Sequence, residues 1–306
     1  MEQGAARILP RMPLVFACIA PHGSIAIPEA KPKDRPLLAS ATTAGMQELG
    51  RRFAAAEPDV SIVLTPHNIH VEGAMAVIDA AAVAGDLVQW GSPISLRIPV
   101  DRDLSLSVRD EIREAGIPVV AVSYGANDPV ASVFPMDWAV LIPAYFMGGH
   151  STPQVPVAVV APARDLTDEV HVRAGQAVGR AAAASPRRVA LIASCDHGHG
   201  HDAKGPYGFT PKSKEFDAAV VSLIRSDDGL SFSRLGSAFA RDAKADSYWQ
   251  MLMLEGALGH DGWKGELLSY EAPTYFGMLC VAYAQRPARA RRTSSAAGGL
   301  PRIASR

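Results

Sequence analysis

The chain carries nine histidines, and their spacing is the first feature with chemical content. His22 and His67 each follow a proline directly, in Pro21-His22-Gly23 and Pro66-His67-Asn68, and His70 lies close to the second. His197, His199 and His201 alternate with glycine in the tract Ser194-Cys195-Asp196-His197-Gly198-His199-Gly200-His201-Asp202. Imidazoles at such turns can aim into a crevice and bind a transition metal, and the intervening glycines leave room for a ligand to approach. The tract departs from the HExxH pattern of zinc proteases, because its histidines repeat at every second residue. A zinc hydrolase or a ferrous oxygenase can be built from these parts, and composition does not choose between them. His150, His171 and His260 stand alone and read as surface or satisfied core residues.

The elements that must position these residues follow from periodicity. Short β-branched runs alternate with alanine-rich stretches, the pattern of strands layered with helices. Strands are expected at Leu14–Ile19, Val60–Thr65, Ala74–Ile78, Pro118–Val122, Val155–Val160, Arg188–Ala193 and Gly277–Ala284. Helices are expected at Leu37–Ala55, Leu104–Glu114, Trp138–Phe146, Thr167–Ala184, Ser213–Ser226 and Ser247–Leu258. The three histidine loops then leave three strand ends, where open α/β sheets bind their ligands. No linker divides the core. The expectation is one α/β domain over residues 12–285, a central mixed sheet flanked by helices with a metal cleft at the strand C-terminal ends.

Bulk properties exclude several classes. Apolar residues are 48% and charged residues 20% of 306, with a net charge of −1, which speaks against a general nucleic-acid binder or a polybasic membrane protein. Three scattered cysteines, Cys18, Cys195 and Cys280, make no disulfide framework and point to a reducing, cytoplasmic setting. No apolar run reaches the ~18 residues that span a bilayer. The start resembles a signal peptide, but the run Met12–Ala20 lacks a small-x-small cleavage site and reads better as a first buried strand. Residues 1–11 read as a disordered extension, with Met12 an alternative start. Residues 286–306 hold six arginines and no acid, with no hydrophobic period, and read as a solvated disordered tail.

Taken together, these motifs resemble the class III extradiol ring-cleavage dioxygenase superfamily, which includes protocatechuate 4,5-dioxygenase catalytic subunits and Memo-like proteins. The resemblance runs from about Pro13 to Tyr283. It is carried by Ser194 through His199, by Gly205-Pro206-Tyr207-Gly208-Phe209 and by Lys214-Glu215-Phe216-Asp217. Pro21-His22, Ile62-Val63-Leu64 before Pro66-His67, and Ser269-Tyr270-Glu271-Ala272-Pro273 support it. It implies an Fe(2+) ion held by two histidines and a carboxylate: His22, His67 and, at the start of the helix ending in Gly256-Ala257-Leu258, Asp246. Glu255 and Glu271 are the alternative carboxylates, and Asp246 could instead be only a helix cap. The implied acid–base is His199, with His197 the runner-up and His201 a hydrogen-bond partner for substrate. One departure stands out: many relatives have Asp-His-Gly where this chain has Asp137-Trp138-Ala139, which suggests an aromatic wall for a flat substrate. The implied reaction is ring cleavage of a catechol-type diol with O₂. A Memo-like metal- or peptide-binding member and a zinc hydrolase are the rival readings. The resemblance leaves open a homo-oligomer or a small partner subunit.

Overall fold

The computed structural model describes residues 13–226, 229–260 and 262–286. Among the described residues, eleven strands and seven α-helices follow one another. The first half runs β1 (Leu14–Ala20), α1 (Ser40–Ala56), β2 (Val60–Leu64), β3 (Met75–Ile78), β4 (Ala82–Asp86), β5 (Ser95–Pro99), α2 (Arg102–Glu114), β6 (Val119–Val122), β7 (Val133–Pro135) and α3 (Trp138–Phe146). The second runs β8 (Val157–Ala161), α4 (Asp168–Ala184), β9 (Val189–Ser194), α5 (Pro211–Arg225), α6 (Ser237–Asp242), α7 (Tyr248–Leu258), β10 (Trp263–Glu271) and β11 (Met278–Gln285). The disordered extensions expected at 1–11 and 286–306 lie outside the described residues, apart from Arg286.

Eight strands form one mixed sheet in the order β10-β11-β1-β9-β2-β8-β3-β6, and β5-β4-β7 form a small second sheet. Successive side chains of a strand point to opposite faces, and here both faces are apolar. Ala17, Ile19, Ile62, Leu64 and Leu191 pack with α4, α5 and α7, whereas Phe16, Cys18, Val63, Val159 and Ile192 pack with α1 and α3. The result is a single α/β domain of helices, sheet and helices. Near-continuous apolar runs such as Val60–Leu64, buried throughout, are what a strand covered on both sides requires.

The central strands β1, β9 and β2 are neighbours and parallel, with Ala20 opposite Ser194 and Leu64 opposite Ala193. Their carboxyl ends therefore finish level at one edge of the sheet, and the loops bearing His22, His67 and Asp196 emerge side by side. All seven expected strands and all six expected helices are present, with ends shifted by up to three residues. Strands β4, β5, β7 and β10 and helix α6 were not expected. β4, β5 and β7 are short, with Gly85 inside β4 and Pro99 and Pro135 ending β5 and β7, and β10 (WKGELLSYE) is a partly exposed edge strand with little alternation. Among the described residues no helix is long and apolar enough to cross a membrane.

Candidate metal centre

Three side chains meet where the parallel strands end. His22 Nε2 lies 3.2 Å from His67 Nε2, Asp246 Oδ2 lies 3.1 Å from His67 Nε2, and it lies 3.4 Å from His22 Nε2. Two donors on one ion at ~2.1 Å, set at right angles, stand about 3 Å apart. The triangle thus has the size of one face of a coordination sphere, and the donor set of two imidazoles and a carboxylate suits a divalent transition metal. Oδ1 of Asp246 is buried without a hydrogen bond among the described residues, a costly state for a carboxylate unless a cation compensates it.

Each corner is placed by a different element. His22 leaves β1. Its backbone N–H donates to Asp196 Oδ1 (3.0 Å), and its Nδ1 hydrogen-bonds Ser194 Oγ (3.0 Å) at the end of β9. That bond fixes the ring so that Nε2 faces the triangle. His67 leaves β2, and its ring stacks on Trp138 with centroids 4.4 Å apart. Trp138 begins α3, whose first turn is capped by Asp137, which accepts from Ala139 N and Val140 N and also from Thr65 Oγ1. Asp246 precedes α7 but makes no capping hydrogen bond there, so its side chain is directed to the histidines instead.

The two alternative carboxylates are committed elsewhere. Glu255 accepts from Ser233 N and Oγ at 2.8 and 2.7 Å. Glu271 accepts from Thr42 N and Oγ1 at 2.6 and 2.7 Å, so it caps the first turn of α1. Sequence order gave no sign of either role.

The electrostatics of the triangle are those of a charged cluster removed from water. Burial opposes the imidazolium at His22, but the carboxylates of Asp196 and Asp246 outweigh it and hold its pKa up at about 9. Burial also opposes ionisation of Asp246, yet the neighbouring histidines, His22 first, hold it well below the usual carboxylate range. Asp196, 3.4 Å from His22 Nε2 through Oδ2, is pushed upward by burial. A divalent cation would take over the role of the His22 proton.

The histidine tract divides into different jobs. His199 lines the cleft, its Nε2 4.0 Å from Asp246 Oδ2, with its ring stacked on Phe276 and edge-on to Tyr207. His197 is wholly buried beneath the site, bonded through Nδ1 to Ser247 Oγ (3.1 Å), and burial lowers its pKa. His201 does not line the cleft: its Nε2 pairs with Asp217 Oδ2 at 2.8 Å. Asp217, wholly buried, also accepts from Tyr270 OH and Gly198 N, both at 2.8 Å, and Ser213 Oγ accepts from Gly200 N. These bonds pin the histidine tract to α5, which explains why the tract and the Lys214–Asp217 motif occur together. His70 is exposed and outside the cleft.

The cleft has a volume of about 280 Å³ beside the triangle and is walled by Trp90, Trp138, Tyr207, Tyr275 and Phe276. Trp90 packs edge-on to Trp138 at 5.2 Å. Of these aromatics, the sequence pointed to Trp138 as a wall and to Tyr207 only as part of the Gly205–Phe209 motif. Tyr275 and Phe276 arrive because residues 275–278 pair with the histidine tract through His197 N to Gly277 O and His201 N to Tyr275 O.

The chain belongs to the family of catalytic LigB subunits of aromatic ring-opening dioxygenases, whose family model matches residues 16–280. It is thus a member of a ring-cleavage dioxygenase superfamily with a His-His-Asp group that could bind a metal. It is 24% identical over 258 residues to Protein CA_C1420 of Clostridium acetobutylicum, covering 83% of this chain and 54% of that one. The chain therefore spans about half the length of the curated relative it matches. Its fold is similar to that of the uncharacterized protein JW3007 from Escherichia coli K12, with a TM-score of 0.57, 16% identity and coverage of 88% of this chain and 99% of that chain.

Proposed function

We propose that the protein is a cytoplasmic, non-haem Fe(2+)-dependent extradiol dioxygenase that opens the aromatic ring of a catechol-type substrate with O₂. The observation that carries this reading is the His22–His67–Asp246 triangle beside an aromatic-walled cleft that His22, His67 and His199 line. These three side chains would hold the ion, and the neighbouring cleft would admit the substrate. When bound, iron(II) supplies a path for electrons from a chelated diol to O₂, which a singlet substrate and triplet oxygen otherwise lack.

The protein's own groups do the rest. Trp138, Phe276 and their neighbours hold a planar ring by stacking and exclude water from it. His199 Nε2 takes a proton from a diol hydroxyl as the substrate binds and returns one to the ring-opened product. An imidazole nitrogen can both accept and donate a proton, which suits it to the two steps. Both oxygen atoms of O₂ end in the product as the carbon–carbon bond beside the diol is cut. A homo-oligomer or a small partner subunit remains compatible with this reading.

The test is oxygen uptake with a panel of catechols after anaerobic Fe(2+) loading. Stoichiometric uptake with a ring-opened chromophore is expected. Bound iron with no uptake from any diol would favour a Memo-like binding role for the same cleft, a reading that the Trp138 departure supports. Zinc retained through purification, with esterase or amidase activity, would point to a hydrolase.

A further inference from the structure

The Ser194–His199 tract at the end of β9 is a common reference for the metal triangle and for the histidine beside it. Ser194 Oγ and the Asp196 carboxylate hold His22, and His199 belongs to the tract. The segment that carries Asp246 is stitched to it as well. His199 N donates to Ala243 O (3.2 Å), Gln250 Nε2 to Ser194 O (3.2 Å) and Cys195 Sγ to Ser247 O (3.7 Å). Between these runs a link of two side chains, His197 Nδ1 with Ser247 Oγ at 3.1 Å. Both residues are fully buried. Ser247 stands at the N-cap of α7, where a serine hydroxyl ordinarily accepts from a free N–H of the first turn. Its side chain caps nothing there among the described residues, and the hydroxyl meets the imidazole instead.

His197 gains little for itself from this place. Its Nε2 is buried with no hydrogen bond among the described residues, a state that costs stability. A phenylalanine would fill similar space without that cost. What the imidazole adds is the bond to Ser247, the residue covalently next to Asp246. We infer that His197 is a positioning residue: through Ser247 it fixes where the Asp246 carboxylate stands. It thereby ties Asp246 to the stretch of backbone that carries His199, whose Nε2 is 4.0 Å from Asp246 Oδ2. The aspartate side chain is short, so an error in the backbone before α7 passes straight to its oxygens. This role rests on the metal-binding reading of the triangle and gives His197 no part in proton transfer. Metal affinity, and not turnover alone, should then depend on a hydroxyl that is not itself a ligand.

The test measures Fe(2+) affinity under nitrogen by competition with a chromophoric chelator. It compares the unaltered protein with Ser247→Ala, His197→Phe, His197→Asn and the Ser247→Ala/His197→Phe pair. Ser247→Ala and His197→Phe should each weaken binding about 10–100-fold, the usual cost of losing a group that orients a ligand. The pair should be no weaker than the poorer single variant, because both changes remove one bond. His197→Asn, whose amide can stand where Nδ1 does, should stay within about threefold of the unaltered protein. The visible spectrum of the Co(2+)-loaded protein should shift in Ser247→Ala, whereas a fold loosened elsewhere would lower the unfolding midpoint and leave the spectrum alone. Where His197→Phe does not fold, affinity and spectrum in Ser247→Ala decide. Unchanged affinity and spectrum in Ser247→Ala, or losses that add in the pair, overturn the inference and leave the triangle standing. The expected losses without O₂ uptake from any diol keep the positioning role and end ring cleavage. An unaltered protein that binds neither ion overturns both.

Discussion

At the metal triangle the two histidines are held by unlike forces. His22 is wholly buried and oriented by its hydrogen bond to Ser194, as metal-binding imidazoles usually are. His67 is partly exposed, and among the described residues its ring Nδ1 makes no hydrogen bond, so the indole of Trp138 holds it by stacking. Trp138→Ala is therefore expected to weaken metal binding by about 10–100-fold, the usual cost of losing a supporting contact, with Trp138→Phe restoring most of it. Metal titration monitored by a chelator dye measures this, and equal affinity in all three proteins would contradict it. His22→Ala, His67→Ala and Asp246→Ala should each fail to retain metal through gel filtration. His199→Ala should retain it and lose about 10²–10⁴-fold in turnover. Glu271→Ala should keep metal and cost about 1 kcal/mol of stability in denaturant unfolding, because what it loses is a helix cap. Iron held by both histidine variants would remove the triangle from the mechanism.

Asp246 reaches the triangle through the packing of α7 on α4, and that packing depends on missing side chains. A Cβ at Gly175 would run into the Met253 carbonyl, and one at Gly256 into the Val172 carbonyl. Two helices that meet backbone to backbone cannot yield by a rotamer change. Gly175→Ala and Gly256→Ala should therefore each cost about 1–3 kcal/mol of stability. Because α7 must shift to accommodate them, metal affinity should fall as well, although neither residue touches the site. Unfolding in denaturant and metal titration check the two effects separately. A loss of stability with unchanged affinity would mean that Asp246 is placed by its loop rather than by its helix.

Over the whole molecule, the buried charges make stability depend on pH and on metal occupancy. The folded pKa of His22, about 9, lies above its ordinary 6.5. Its contribution is thus fully present below pH 6.5 and is lost as pH rises through 9. The metal-free protein should therefore show a falling unfolding midpoint across that window, and His22→Gln should show a flatter profile. Metal competes with the same proton, so affinity should rise over the same range and the loaded protein should lose this pH dependence. Thermal unfolding with and without metal at pH 6.5 and 9 tests both. A metal-free profile identical in wild type and variant would exclude His22 as its source.

What the sequence by itself determined is what short-range chemistry encodes. The apolar runs of β1, β2 and β9 announce strands buried on both faces. Proline just after β1 and β2 announces a turn that carries His22 or His67, and the glycine-interleaved histidine tract after β9 announces a third loop able to hold a ligand. His22, His67 and the tract around His199 were legible for that reason. Only the tertiary structure decided which carboxylate joins them, because Asp246, Glu255 and Glu271 lie close in sequence while hydrogen bonds to Ser233 and Thr42 remove the last two. It also decided between His197 and His199, two residues apart, by burying one and exposing the other to the cleft. The aromatic wall of Trp90, Trp138, Tyr207, Tyr275 and Phe276 comes together only when the strands align. Side chains far apart in sequence become neighbours through packing and backbone pairing, and no local pattern records that.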